Sequence, residues 1–241
     1  YTAAAELLKE RVILVTGAGS GIGAAVAKAY AQHGATVVLL DKSIPKLEQV
    51  YDDIVATDAP TPAIYPLDLK GASIPDYDEL ATKVHDNFGR LDGLVHCAAS
   101  LGQLAPVQHQ DPKIWLETIH INLTAAYLLT RSCLSLMQKF NKASIIFSTD
   151  NHKGKAYWAG YGVSKAGIEA LAKQLADEME SEGRIRVNCI DPGTVKTELH
   201  THAFPAIDPT NLSEPEDIVS SYLYLIGDDS LAINGELIKA Q

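Results

Sequence analysis

One short stretch constrains this chain more than any other. It is Thr16-Gly17-Ala18-Gly19-Ser20-Gly21-Ile22-Gly23, set directly after the apolar run Val12-Ile13-Leu14-Val15. A short, continuously apolar and β-branched run bounded by a turn reads as a buried strand of a parallel sheet. Gly21 to His33 then reads as a helix, with Gly34 placed to end it. Glycines in such a turn let the chain take positive φ and bring backbone close to a diphosphate. The helix N-terminus behind them offers free N–H groups and a partial positive charge. A merely tight structural turn would also want glycine, so the reading rests on the strand before and the helix after.

The same alternation continues along the chain and implies right-handed βαβ crossovers. Val37–Leu40 reads as a second strand and Ser43–Ala56 as a helix, with Ser43 available as its cap and Pro45 in its first turn. A third strand begins at Ala63 and runs to near Asp68. Tyr77–Phe88 reads as a helix, Gly93–His96 as a strand, Lys113–Phe140 as a long helix and Ser144–Phe147 as a strand. Tyr161–Glu182 is a second long helix, closed by Gly183, and Arg186–Ile190 a further strand. From Glu198 to Leu212 the pattern breaks into a loop of lid length, and Pro215–Ile226 is again helical. No linker or repeat intervenes. The expectation is one α/β domain over residues 1–241, a doubly wound parallel sheet of Rossmann type in three α/β/α layers, with a short lid near 198–212.

Composition removes several function classes. The hydrophobic share of 46% suffices for one large core, and a net charge of −10 disfavours nucleic acid and anionic membranes. Lys and Arg form no local stripe that would reverse this. Cys97, Cys133 and Cys189 are odd in number and lack metal-type or CxxC spacing, so a reducing compartment is expected rather than a disulfide framework. No apolar run approaches the length of a membrane span. The opening Tyr1–Glu6 lacks the basic and apolar parts of a signal peptide, and the cytoplasm is the expected location.

Two further features carry chemistry. Asp41 closes the second strand, where a carboxylate can accept the ribose hydroxyls of NAD and repel the 2′-phosphate of NADP. It can equally serve as a turn acid or cap the next helix, and the adjacent Lys42 softens the repulsion. NAD is favoured as cofactor, with NADP as the lesser alternative. Tyr161 and Lys165 stand four apart on one helical face, so phenol and ammonium can enter one cleft. A neighbouring cation lowers a phenol's pKa and makes it a usable acid/base at neutral pH. A plain surface pair gives the same spacing.

These motifs, in this order, resemble the short-chain dehydrogenases/reductases from about Arg11 to about Gly235. The family's glycine turn is matched by Thr16, Gly17, Gly21 and Gly23, and its Tyr-x-x-x-Lys by Tyr161 and Lys165. Ser148, thirteen residues before Tyr161, and Asn122 match its serine and asparagine, and Pro192-Gly193 its segment after the sixth strand. The resemblance implies a catalytic set of Asn122, Ser148, Tyr161 and Lys165. Ser148 would orient the substrate, Tyr161 exchange the proton and Lys165 hold the nicotinamide ribose. Asn122 would keep a water beside Lys165 as a relay to solvent. Thr16, Gly17, Ser20, Gly21, Ile22, Gly23 and Asp41 would bind the cofactor together with Asp68 and Leu69 near the adenine. Ala98, Tyr161, Lys165, Pro192, Gly193, Val195 and Thr197 would complete that groove. Hydride transfer between NAD(H) and a carbonyl or secondary alcohol is the implied activity, in a homodimer or homotetramer formed through the two long helices. The alternative is a dinucleotide-sensing protein without chemistry.

The chain departs from the family pattern in three places, one of them Asp191, which adds a charge where Asn is common before Pro192-Gly193. His96-Cys97-Ala98-Ala99 stands where Asn-Asn-Ala-Gly is usual, and His96 is expected to be a hydrogen-bonded structural residue. Thr149-Asp150-Asn151-His152-Lys153 is polar where small and apolar residues are frequent. It makes either a polar substrate pocket or a solvated loop. His200 and His202 do not form a metal site, lacking a nearby Cys or acid.

Overall fold

Val12–Thr16 are buried along their whole length and form β1, an inner strand of the sheet in a computed structural model that describes residues 1–181 and 183–241. The elements that follow are α1 (Gly21–Gln32), β2 (Thr36–Asp41), α2 (Ile44–Val55), β3 (Ala63–Pro66), α3 (Ile74–Phe88) and β4 (Gly93–His96). Then come α4 (Pro112–Ile119), α5 (Ala125–Met137), β5 (Ala143–Ser148), α6 (Ala159–Glu180) and β6 (Ile185–Asp191). The chain ends with α7 (Glu198–Ala203), α8 (Val219–Ile226) and β7 (Leu237–Lys239). All neighbouring strands are parallel, in the order β3-β2-β1-β4-β5-β6-β7.

Alternate residues of each strand point to opposite faces, and this divides the core in two. Leu14 packs with Leu80, Leu129 and Ile168 under α3, α5 and α6. Ile13 and Val15 pack with Val26, Leu47 and Leu223 under α1, α2 and α8. The fold is thus a single doubly wound domain of three layers, as expected. The chain travels outward from β1 to β3 and then crosses back to β4, so the strand order reverses between β1 and β4. A ligand crevice opens outside the carboxyl ends of the strands at such a switch point.

The structure differs from the sequence reading in its helices. The stretch Lys113–Phe140 is two helices, α4 and α5, joined by one π turn over His120–Thr124. Asp111 starts α4 by accepting the N–H of Lys113 at 2.7 Å. The expected Tyr161–Glu182 helix begins two residues earlier, at Ala159, and its expected last residue, Glu182, lies outside the described residues. The expected lid loop carries α7, whose first turn is capped by the Thr197 hydroxyl accepting from His200 N, and a 3-10 turn at Pro209–Asn211. Pro215–Ile218 is a 3-10 turn that leads into α8, and β7 is an addition the sequence reading lacks.

Candidate active site

The first wall of the cleft is the glycine turn. Thr16, at the end of β1, is buried, and its hydroxyl accepts the N–H groups of Cys97 and Ala98, both at 3.2 Å. This ties the turn after β1 to the turn after β4 across the switch point. Gly17 has φ +68, and a side chain there would meet Ala98 N at 2.8 Å; at Gly23 a Cβ would meet Gly17 O at 2.2 Å. The glycines therefore let three backbone segments close on one another. Ser20 precedes α1 without a side-chain cap, so the helix N-terminus faces the cleft with its N–H groups uncovered by protein side chains.

That cleft is large, about 750 Å³. Gly17, Ser20, Gly21, Ile22 and Gly23 line it, with Asp41, Asp68 and Leu69. Ala98, Tyr161, Lys165, Pro192, Gly193, Val195 and Thr197 line it as well. Lys42 and Ser43 stand next to Asp41, together with Lys46, which the sequence reading does not single out. The Asp41 carboxylate accepts from Ser43 N at 3.0 Å and Gly19 N at 3.3 Å, and Lys46 pairs with Glu198 of α7 at 3.2 Å. An uncovered helix N-terminus behind a glycine turn, in a cleft of this size, suits a dinucleotide's phosphates.

Thr16 and Asn122 lie behind this wall. They border a cavity of about 10 Å³ shared with His96, Ser148 and Lys165, near the lower limit for a single water. Both N–H groups of the Asn122 amide are committed, to Ser100 O at 2.9 Å and Ser164 Oγ at 3.0 Å, while its carbonyl accepts from Ser100 N at 2.7 Å. These ties anchor the π turn. Such turns often mark functional sites, and no local pattern in 113–140 announces this one.

The catalytic end differs from the expectation at one residue. Tyr161 and Lys165 do meet: the ammonium lies 5.6 Å from the centre of the phenol ring and donates to the carbonyl of Ser148 at 2.8 Å. Ser148 lines the same cleft as Tyr161, but its hydroxyl is bonded elsewhere. It points toward α8, 2.8 Å from the Tyr222 hydroxyl and 3.4 Å from Cys97 Sγ. Strand alternation explains this, because Ser148 falls in phase with Ile146, which packs on the α1/α8 face. The group that meets the Tyr161 hydroxyl is Asp150, whose Oδ2 accepts from it at 3.0 Å. Asp150 reaches Tyr161 from the loop between β5 and α6, two residues beyond the position the family spacing selects.

Electrostatics follow from this exchange. Burial, and then the Asp150 carboxylate as charge and as acceptor, push the Tyr161 phenol well above its ordinary range. The expected lowering of the phenol by Lys165 does not prevail. Burial in turn pulls the Lys165 ammonium down, opposed by Asp150. Cys97 is raised to about 11, chiefly by burial, so its thiol stays protonated. His96 stacks on Phe147 at 4.7 Å and bonds Thr130 Oγ1 at 2.9 Å; burial lowers it to about 3, and it is a neutral structural residue.

The outer wall is polar and aromatic. His152 stacks on Trp158 at 3.8 Å, and Phe204, just after α7, lies 5.7 Å from both rings. The backbone entering α6 is strained, with Tyr157 at φ +74 and Ala159 at φ +47, which turns Tyr161 inward at the first turn of the helix. Among the described residues, no group of three or more His, Cys, Asp or Glu is placed to hold a metal, and no helix is long and apolar enough to cross a membrane.

Fold and cleft together define a dinucleotide-binding α/β protein, and comparison with known proteins narrows the class. The short chain dehydrogenase family profile matches residues 11–208. The uncharacterized oxidoreductase YciK of Escherichia coli is 39% identical over 243 residues, covering 100% of this chain and 96% of that one. A Pseudomonas syringae structure assigned to the short chain dehydrogenases superposes with a TM-score of 0.98 at 45% identity, covering 100% of this chain and 98% of that one. A Shigella flexneri structure of the same assignment, complexed with NADP, gives 0.95 at 39% identity, covering 99% and 100%. This chain belongs to the short-chain dehydrogenase family of oxidoreductases.

Proposed function

We propose that this chain transfers hydride between NADP(H) and a carbonyl or secondary alcohol, with Tyr161 exchanging the proton at the reacting oxygen. The observation that carries this reading is the meeting of Tyr161 and Lys165 in the same cleft as the uncovered N-terminus of α1. When bound, the dinucleotide supplies or accepts the hydride.

The chain's own residues would do the rest. The turn Thr16–Gly23 holds the phosphates through backbone N–H groups and the α1 dipole. Asp68 and Leu69 flank the adenine, and Ala98, Pro192, Gly193, Val195 and Thr197 close around the nicotinamide. Lys165 places a positive charge beside Tyr161, which steadies the phenolate formed when the proton leaves. Ser148 serves through its carbonyl, which positions Lys165, and Asn122 through its grip on Ser100.

Asp41 alone favours NAD, as the sequence reading has it. Its carboxylate is nonetheless bonded to Gly19 and Ser43, Lys42 and Lys46 stand beside it, and the Shigella relative is complexed with NADP. The preference therefore shifts to NADP(H). Exposed Leu116 on α4, Tyr127 on α5 and Val163 on α6 support pairing of these helices with a second copy of the chain.

The test is oxidation of NADPH and NADH, in parallel, against a panel of ketones, aldehydes and sugars. Turnover with NADPH on at least one compound supports the reading. NADPH binding with no turnover on any of them would favour the sensing alternative, and faster turnover with NADH would reverse the cofactor assignment.

A further inference from the structure

The Tyr161 hydroxyl, 3% exposed as a residue, donates to Oδ2 of Asp150 at 3.0 Å, and the other oxygen of that carboxylate lies 2.5 Å from Nδ1 of His152. The backbone N–H of His152 donates to the same oxygen at 2.7 Å, which keeps the carboxylate between the two rings. His152 stacks on Trp158, lines the cleft and keeps 21% side-chain exposure. Phenol, carboxylate and imidazole thus make an unbroken hydrogen-bonded path from the buried hydroxyl to the open side of the cleft. The cavity behind Lys165 is far narrower. It holds one water at most, both Asn122 N–H groups are committed, and its remaining walls include Ala125, Leu129 and Ile168 of the core.

We propose that Asp150 and His152 carry the proton between Tyr161 and solvent, Asp150 acting as the positioning residue for the phenol's proton and His152 as the outer member. The proposal rests on the oxidoreductase reading above. In the reducing direction, hydride from the reduced nicotinamide forms the new C–H bond. The carbonyl π pair takes the Tyr161 proton and becomes an O–H bond. The phenolate then takes a proton from the carboxyl of Asp150, which receives it on Oδ1 from Nδ1 of the imidazolium of His152 and turns about its Cβ–Cγ bond to present it to Tyr161. His152 regains a proton from water, so neither residue changes overall. Oxidation runs each transfer in reverse.

The charged and titratable groups that face this path are Lys165 on the same helix as Tyr161, Asp191 on β6, His200 on α7 and Cys97 after β4. The direction of the phenol's shift agrees with the assignment, since a carboxylate beside it holds the proton in place until a substrate oxygen accepts it.

The link to Tyr161 is read without turnover. The full-length protein, loaded with NADPH and labelled with 13C at tyrosine Cζ, is titrated by NMR, with Tyr161→Phe assigning the resonance. Asp150→Asn should lower the Tyr161 midpoint by about one pH unit or more, and Asp150→Ser repeats the test should the first variant fail to fold. A midpoint unchanged in the folded variant overturns the proposal. The route is read with a panel compound that NADPH reduces: His152→Gln should lose about tenfold or more in kcat at unchanged KM for NADPH. Added imidazole buffer should restore part of that rate. A His152→Gln rate equal to wild type and independent of buffer overturns the route. A panel on which nothing reacts counts against the oxidoreductase reading alone, because the titration still decides the Asp150 link.

Discussion

Thr16→Val tests how the two halves of the sheet are joined at the cleft. Valine matches threonine in shape and removes the hydroxyl, which accepts two N–H groups, Cys97 and Ala98, at 3.2 Å. A buried donor left without a partner costs about 1–3 kcal/mol. Both bonds sit at the long end of the usual range, so about 1 kcal/mol each, or about 2 kcal/mol in all, is the expected loss. For a chain of this length that corresponds to a fall in Tm of about 4–8 °C. Thr16→Ser keeps the acceptor and gives up one buried methyl, costing about 1 kcal/mol, so it should fall midway. Differential scanning calorimetry of the three proteins decides the matter. A valine variant melting within about 1 °C of wild type, or a serine variant no better than valine, would refute the reasoning.

Three other outcomes follow from the same geometry. Gly23→Ala places a Cβ 2.2 Å from Gly17 O; it should weaken NADPH binding about tenfold or more, since the turn must shift, and fluorescence titration measures it. His96 sits below its unfolded value, at about 3, so the native state resists its protonation. Its contribution is intact above pH ~6.5 and is lost as pH falls toward about 3, at about 1.4 kcal/mol per pH unit. Urea denaturation from pH 7 to 4 should show this slope reduced in His96→Gln. The double variant Lys42→Ala/Lys46→Ala should lose about tenfold in affinity for NADPH relative to NADH, about 1.4 kcal/mol, read from paired binding titrations.

How much of this was legible in the sequence depended on how local the information was. The glycine turn is written in consecutive residues, and Tyr161 and Lys165 stand one helical turn apart, so both could be read directly and meet in one cleft. Ser148 was placed by counting back through a loop whose length no local rule sets, and the strand's own alternation turns its hydroxyl toward Tyr222. Asp150 and His152 were visible as unusual polar residues, but nothing near them in sequence says that they converge on a phenol. The π turn at His120–Thr124 depends on the ties of Asn122 to Ser100 and Ser164, contacts made across the fold. The strand β7 is three residues long and half exposed, too short for a periodic signal.

The central claim is that a phenol held beside a bound nicotinamide moves the proton. The most direct measurement is NADPH oxidation by Tyr161→Phe on a reactive panel compound, set beside NADPH affinity of the same variant. The account predicts a fall in kcat of about 100-fold or more with affinity within about twofold of wild type, well under the 1.4 kcal/mol that tenfold represents. Turnover unchanged in that variant would contradict it.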